Sequence, residues 1–185
     1  YGMPDKYGAI KRAAVVRDFD ELKRNLNIYV ISQNASDKLV AANVTIKNNL
    51  RNWLLQYKMV NDTVDILDAA IVNFGITYSL ALDLNANRYT VLNKANAAIR
   101  QYLLRNQYDI GESILITEFY KVLQRVDGVV DVYQVSITPR TGATYSNVSY
   151  DFAKNLTVDG RYILAQKNVI FELKFPNVDI EGAIR

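Results

Sequence analysis

The sequence predicts an α+β fold: two tandem strand–helix–strand units, with helices packed on a mixed or antiparallel sheet, followed by a C-terminal β-rich segment. Three observations predict it. Residues 69–82 alternate apolar with small or polar side chains, as a strand does. Segments on both sides of this strand space apolar residues three and four apart, as amphipathic helices do. Beyond residue 139 only short alternating runs remain.

Residues 69–82 predict a long central strand with one buried face. Side chains alternate between the two faces of a strand, so the apolar even positions should share a core. The odd positions are small or polar and carry no charge, so we expect a second segment of the chain to cover them, or alternatively a partner subunit. Gly75 is the expected place for a bulge or a bend. The expected core positions are Val72, Phe74, Ile76, Tyr78 and Leu80.

The first unit, residues 1–66, begins with a segment rich in glycine and basic residues, which predicts irregular backbone over residues 1–17. Asp18 is an expected N-cap for a short helix over residues 19–25. Residues 28–31 (IYVI) and 64–67 are β-rich runs. Between them, apolar spacing predicts a helix from Asp37 to about Tyr57.

The second unit, residues 67–139, contains the central strand and two helices. Asn85, Asn87 and Thr90 mark a loop and the start of one helix, and Thr117 is an expected cap for the next. Gly128 stands where a left-handed C-cap is expected. Residues 129–138 predict a strand that Pro139 stops.

The C-terminal segment, residues 140–185, shows three alternating runs, over residues 148–152, 162–165 and 169–175. The dipeptide Asp159-Gly160 predicts a hairpin turn before the second run.

A short repeat links the two units. Residues 50–55 (LRNWLL) and 99–104 (IRQYLL) superpose at an offset of 49, and each follows a strand and a helical segment. Duplication of one ancestral unit and coincidence in six residues are both open at this point.

Composition excludes several kinds of chemistry. The 185 residues include no cysteine and no histidine, so disulfides, thiolate nucleophiles and imidazole-based sites are absent. We therefore expect no cofactor and no metal site. The net charge is +3, and the basic residues are spread along the chain, which argues against a concentrated nucleic-acid patch. The chain begins at Tyr1 without a signal-peptide pattern, so we expect a piece of a longer polypeptide.

The order of several motifs is similar to that of the baseplate J family. Residues 12–22 (RAAVVRDFDEL), then 28–31, then 109–130 (DIGESILITEFYKVLQRVDGVV) resemble its two signatures. Residues 145–150 (YSNVSY), 159–162 (DGRY) and 168–176 (NVIFELKFP) resemble the C-terminal part of the large baseplate wedge subunit of contractile-tailed phages, the myoviruses.

The resemblance implies a structural virion protein of the tail baseplate, assembled in the host cytoplasm. Its partners would be itself, as a homodimer or ring, and other baseplate proteins of the inner ring or wedge. It implies no catalytic residues, no membrane and no small-molecule substrate.

The sequence of the C-terminal segment also predicts where the subunit contact lies. Tyr162, Leu164 and Ile170 should form an exposed aromatic–aliphatic patch rimmed by charge, which is typical of an interaction site.

Two other functions are weighed against assembly. A nucleic-acid-binding α+β module is the alternative, but residues 168–175 (NVIFELKF) lack the glycines of the aromatic RNA-binding signature. An enzyme would need paired carboxylates, and Asp62, Asp65 and Asp68 lie close together in the sequence. No phosphate-binding glycine loop accompanies them, so solvated loop acids are the better interpretation.

Overall fold

The computed structural model describes residues 10–17, 25–57 and 63–185. The α+β class is confirmed: the described chain has three helices and strands in mixed and antiparallel sheets. It divides into two compact units. Unit 1 comprises the described residues up to Ile71 with Asp109–Gly111 and Gln166–Ile170, and unit 2 comprises Val72–Tyr108, Glu112–Ala165 and Phe171–Arg185. The sequence-based boundaries at residues 66 and 139 stay predictions.

Unit 1 is built on a sheet whose central strand is β2. Strand β1 pairs with β2 antiparallel, β4 pairs with it parallel, and β3 pairs with its last two residues. Helix α1 covers one face, where Leu50 packs in a buried cluster with Ile28, Val30 and Ile66. The elements are β1 (Arg12–Arg17), β2 (Asn25–Gln33), β3 (Leu39–Val40), α1 (Val44–Leu54) and β4 (Thr63–Asp68).

Three predictions for unit 1 need correction. The stretch before residue 17 is not wholly irregular, because Arg12–Arg17 pairs along β2. The long helix begins at Val44 rather than after Asp37, since Leu39–Val40 is held by pairing with β2. Asn43 then caps the helix by accepting from the Thr45 amide at 3.1 Å. The helix expected over residues 19–25 lies outside the described residues except Asn25, which begins β2.

Unit 2 is organised on the central strand predicted from the sequence. The strand order of its sheet is β10–β5–β7, with β10 parallel and β7 antiparallel to β5, and β9 also pairs with β5. Strands β6 and β8 form a separate antiparallel pair. The elements are β5 (Ala70–Leu82), α2 (Arg88–Arg105), β6 (Ile114–Leu115), α3 (Ile116–Gln124), β7 (Val129–Pro139), β8 (Tyr162–Ile163), β9 (Val169–Glu172) and β10 (Ile180–Ile184).

The core of unit 2 lies on the even face of β5, as predicted. All five expected positions from Val72 to Leu80 are buried. Near the start of β5, the odd face is covered by other segments of the same chain. Asn73 Nδ2 donates to Glu172 at 2.9 Å, and the Ser146 amide donates to Asn73 Oδ1 at 2.7 Å. Gly75 is not a bulge, because the register shifts fall at Ser79/Leu80 and Ala81/Leu82.

A polar link crosses the odd face of this sheet. The Asp179 carboxylate is fully buried, and it accepts from Tyr145 Oη at 2.7 Å and from the Phe175 amide at 2.8 Å. Arg140, just after β7, lies 3.6 Å from Asp179 through Nε and binds Glu181 of β10 through Nη2. The hydrogen bond to Asp179, followed by desolvation, raises the pKa of Tyr145.

The helix ends of unit 2 agree in part with the sequence. Helix α2 begins at Arg88, within the predicted loop and helix start, and Asn87 caps it by accepting from the Thr90 amide at 3.2 Å. Thr117 does not cap α3, since the helix begins one residue earlier at Ile116 and its N-cap makes no side-chain hydrogen bond. Gly128 has φ +90°, which confirms the left-handed residue that follows α3.

The C-terminal segment is less regular than predicted. Residues 148–152 form no strand; Tyr150 and Phe152 are buried because both rings pack on Phe171, with centroid distances of 5.5 and 5.9 Å. The third run ends as a strand at Glu172, and β10 was not predicted.

The repeat is matched in burial but not in strand pairing. Leu50 and Ile99, its first positions, are both buried. However, in the first unit β2 pairs parallel with β4, the strand after α1, whereas in the second unit β5 pairs antiparallel with β7, which follows two helices. The two units therefore do not share one topology.

Candidate subunit interface

The candidate site in unit 2 is a hairpin that includes β8. The Thr157 amide donates to the Tyr162 carbonyl at 2.9 Å, and the Leu164 amide donates to the Asn155 carbonyl at 2.9 Å. The turn is closed by the Gly160 amide, which donates to the Thr157 carbonyl at 2.8 Å, and Gly160 has φ +67°. The Asp159-Gly160 turn predicted from the sequence is therefore confirmed.

The inward face of the hairpin fixes it to unit 2. Ile163 is buried and lies opposite Ile114 of β6, which is also buried. The Ile116 amide donates to the Arg161 carbonyl at 2.9 Å, and the Ala165 amide donates to Ser113 Oγ at 3.1 Å. The hairpin is thus a supported element, whose outward side chains have a fixed direction.

The outward face carries exposed apolar side chains. Tyr162 and Leu164 alternate with buried Ile163 and are 38% and 51% exposed. Leu115, the β6 partner of Tyr162, shares this face and is half-buried. Val158 projects from the turn and is fully exposed, at 110%. We name Leu115, Tyr162 and Leu164 the hairpin face, and Val158 is a further exposed apolar side chain at the turn of the hairpin.

The rim of the hairpin face carries both signs of charge. Arg161 Nε lies 3.7 Å from Asp159 Oδ2, and both side chains are exposed. The Thr157 hydroxyl donates to Asp159 Oδ1, and this hydrogen bond, with that from the Arg161 amide, lowers the pKa of Asp159. The carboxylate is therefore charged at neutral pH beside a permanent cation.

Ile170 does not belong to this surface, which corrects the sequence-based patch. It is 1% exposed and packs with Ile31 and Ala69 in the core of unit 1. Alternation over residues 169–175 predicts one buried face, whereas Val169, Ile170 and Phe171 are all buried. Two of the three expected residues, Tyr162 and Leu164, lie on one exposed face.

Sequence reasoning missed Val158 and Leu115. Val158 has a signal, since an apolar β-branched side chain at a turn before Asp-Gly gains nothing from the turn itself. Leu115 has none, because its place on the hairpin face depends on pairing between β6 and β8, which are far apart in the sequence.

Two of the three acidic residues weighed for an enzyme, Asp65 and Asp68, have side-chain partners. Asp65 accepts from Asn25 Nδ2 at 2.7 Å, and Asp68 pairs with Lys47 Nζ at 2.7 Å; Asp62 lies outside the described residues. Within residues 10–17, 25–57 and 63–185, no group of three or more acidic side chains is placed to hold a metal ion. No helix in this part of the chain is long and apolar enough to cross a membrane.

The molecule is therefore an α+β protein with an exposed apolar hairpin. No protein-family model and no curated protein sequence matches it. Among solved structures, it is similar to a chain of the anti-feeding prophage baseplate, determined by cryo-electron microscopy with six-fold symmetry. The identity is 11%, the TM-score is 0.48, and the match covers 86% of this chain. This chain spans 32% of the length of that baseplate chain.

Proposed function

We propose that this protein is a structural subunit of a contractile phage-tail baseplate, in its inner ring or wedge. It acts by assembling with copies of itself and with other baseplate proteins, and it performs no catalytic step. The support from the sequence is the order of motifs resembling the baseplate J family. One of them, residues 109–130, includes β6, α3 and the left-handed Gly128.

The observation that carries assembly is the hairpin face. Its side chains expose apolar surface, while the buried face beneath holds the hairpin in place. Removing such surface from water on association is favourable, and contiguous exposed apolar patches commonly mark contacts with other proteins.

The proposed occupant of the hairpin face is a second copy of the chain. The rim carries Asp159 and Arg161 side by side, so a two-fold axis brings the cation of one copy towards the carboxylate of the other. Such a surface is complementary to itself in charge as well as apolar at its centre.

Sedimentation velocity over a range of concentrations tests the contact. The chain should dimerise, and Tyr162→Asp with Leu164→Asp should give folded monomers, because two buried carboxylates would be unpaired in the contact. Leu84→Asp is the matched control, since Leu84 is fully exposed in a loop of the same unit. Dimers that survive the double substitution, or a wild-type chain that stays monomeric, would overturn the contact.

Immunoelectron microscopy tests the place in the virion. Antibodies against the chain should label the tail end distal to the head on particles of the phage that encodes it. Label on the head, or none on intact and disrupted particles, would contradict the baseplate assignment whatever the dimer experiment gives.

A further inference from the structure

The outer side of α2 presents an uncharged stripe. Val91, Ala95 and Ile99 are buried on its inner side. On the opposite side, residues spaced four, four and three apart lie in one line along the helix. All are exposed, and Leu104, the last of them, is 65% exposed. We name this line the α2 stripe; its members are Asn93, Ala97, Gln101 and Leu104.

The charges of α2 all have one sign. The helix contains Arg88, Lys94, Arg100 and Arg105 and no acidic residue. Solvated helices commonly carry Glu–Lys pairs three or four residues apart, and α2 has none. Helical geometry places Lys94 and Arg105 on one side of the stripe and Arg100 on the other.

The existing pairing of these cations is weak. Lys94 Nζ lies 3.1 Å from Asp127, but both side chains are largely exposed, so the pair contributes little to stability. Arg100 is half-buried and Arg105 is exposed, and neither takes part in an ion pair among the described residues. Cations on both sides of the stripe can therefore pair with carboxylates of another molecule.

We propose that the α2 stripe binds an amphipathic helix of a different protein, with small or apolar residues flanked by Asp or Glu on both sides. Ala97 at the middle of the stripe allows a close helix–helix approach, and ridges of residues four apart pack into each other's grooves. Tyr89 and Leu104 supply exposed apolar surface at the two ends. This partner and surface are additional to the hairpin-face contact.

Charge argues against two other occupants. A second copy packed antiparallel about Ala97 would bring the edge of one helix that carries Lys94 and Arg105 against the same edge of the other, which is repulsive. Nucleic acid is bound through cations that reach phosphates, whereas the centre of this surface is uncharged and includes an exposed leucine.

Fluorescence anisotropy with synthetic helical peptides tests the proposal. The acidic peptide has the same length as α2, 18 residues, and carries an Ala/Leu stripe flanked by Glu. Its twin has Lys in place of Glu. The intact chain should bind the acidic peptide at least about tenfold more tightly than the twin, as opposed rather than like charges require. Added salt should reduce the difference in affinity between the two peptides, because it screens the charges.

Three variants identify the surface. Lys94→Glu with Arg105→Glu should reverse the preference between the peptides. Ala97→Phe should weaken binding of the acidic peptide without any change in the charge of the protein. Arg125→Glu is the control, because Arg125 is exposed on unit 2 outside α2, and it should leave binding unchanged. Tyr162→Asp with Leu164→Asp should also bind normally, which separates this surface from the hairpin face.

Several outcomes would overturn the proposal. These are equal binding of the two peptides, no binding of either, or no response to Ala97→Phe in a variant shown by circular dichroism to be folded. Tighter binding of a short DNA duplex than of the acidic peptide, with a steep salt dependence, would assign the cations to phosphate instead.

Discussion

Arg140 crosses the second sheet directly over Gly75. A Cβ atom on Gly75 would lie 2.6 Å from Arg140 Nε and 3.1 Å from the Asp179 carbonyl oxygen. The absence of a side chain at this position lets Arg140 reach from the end of β7, across β5, to Glu181 on β10. The glycine in the middle of the long strand is thus explained by a close approach rather than by a bulge.

Gly75→Ala should lower the free energy of unfolding by about 1–3 kcal/mol, the usual cost of adding a methyl group to a filled site. The reason is that the added methyl group would displace Arg140 from Glu181 and Asp179. Guanidinium denaturation measures the change in the free energy of unfolding. In an Arg140→Lys background the cost of the added methyl should shrink, and an unchanged cost there would show that Arg140 is not what the methyl meets.

Phe74→Ala should lower the free energy of unfolding by about 3–5 kcal/mol, as truncation of a buried aromatic ring does. Phe74 is fully buried and packs edge-on against Tyr108 and Phe171 at 6.0 and 6.4 Å. Tyr133→Ala is a control on the neighbouring strand, where the ring is largely exposed and a small effect is expected. A loss under about 1 kcal/mol for Phe74→Ala would mean that the even face of β5 is not the core.

Stability should fall in alkali. Burial raises the pKa of Tyr78 and of Tyr108, and the hydrogen bond to Asp179 raises that of Tyr145. In the unfolded chain these phenols ionise near pH 10. The contribution of the three neutral tyrosines to stability is therefore fully present below about pH 10 and is lost as the pH rises above it. Denaturation midpoints at increasing pH measure this. Tyr145→Phe should reduce the slope, and midpoints that stay level well above the ordinary tyrosine pKa would contradict the shifts.

Neither divalent metal ions nor nucleotides should stabilise the protein. With no histidine or cysteine, only oxygen ligands are present, and Asp65 and Asp68 are engaged by Asn25 and Lys47. Thermal unfolding with and without magnesium, calcium or ATP measures this, with EDTA-treated protein as the reference. A rise of several degrees with any of them would reveal a site.

Predictions that depend on neighbouring residues agree best with the structure. The buried face of β5, the start of α2 near Asn87, the positive φ of Gly128 and the Asp159-Gly160 turn follow from alternation, capping and turn chemistry within a few residues. The outward direction of Tyr162 and Leu164 follows in the same way, because they flank Ile163 in one alternating run that begins as β8.

Predictions that depend on distant partners agree less well. The apolar spacing predicts a helix from Asp37, but Leu39–Val40 pairs with β2 instead. The alternation of Tyr150 and Phe152 resembles a strand, yet both rings are buried around Phe171 without strand pairing. Local spacing cannot distinguish these outcomes, because each depends on which distant segment supplies the contact.

Local sequence patterns are enough to predict the α+β class, the buried face of the central strand and the exposed side of the hairpin, because these depend on the period of apolar residues and on turn geometry. Three other features are visible only in the folded chain: Ile170 lies in a core, Arg140 passes over Gly75, and residues 180–184 form a strand beside β5. Each of these is a contact between residues far apart in the chain, and its free energy comes from burial and pairing that no local pattern records.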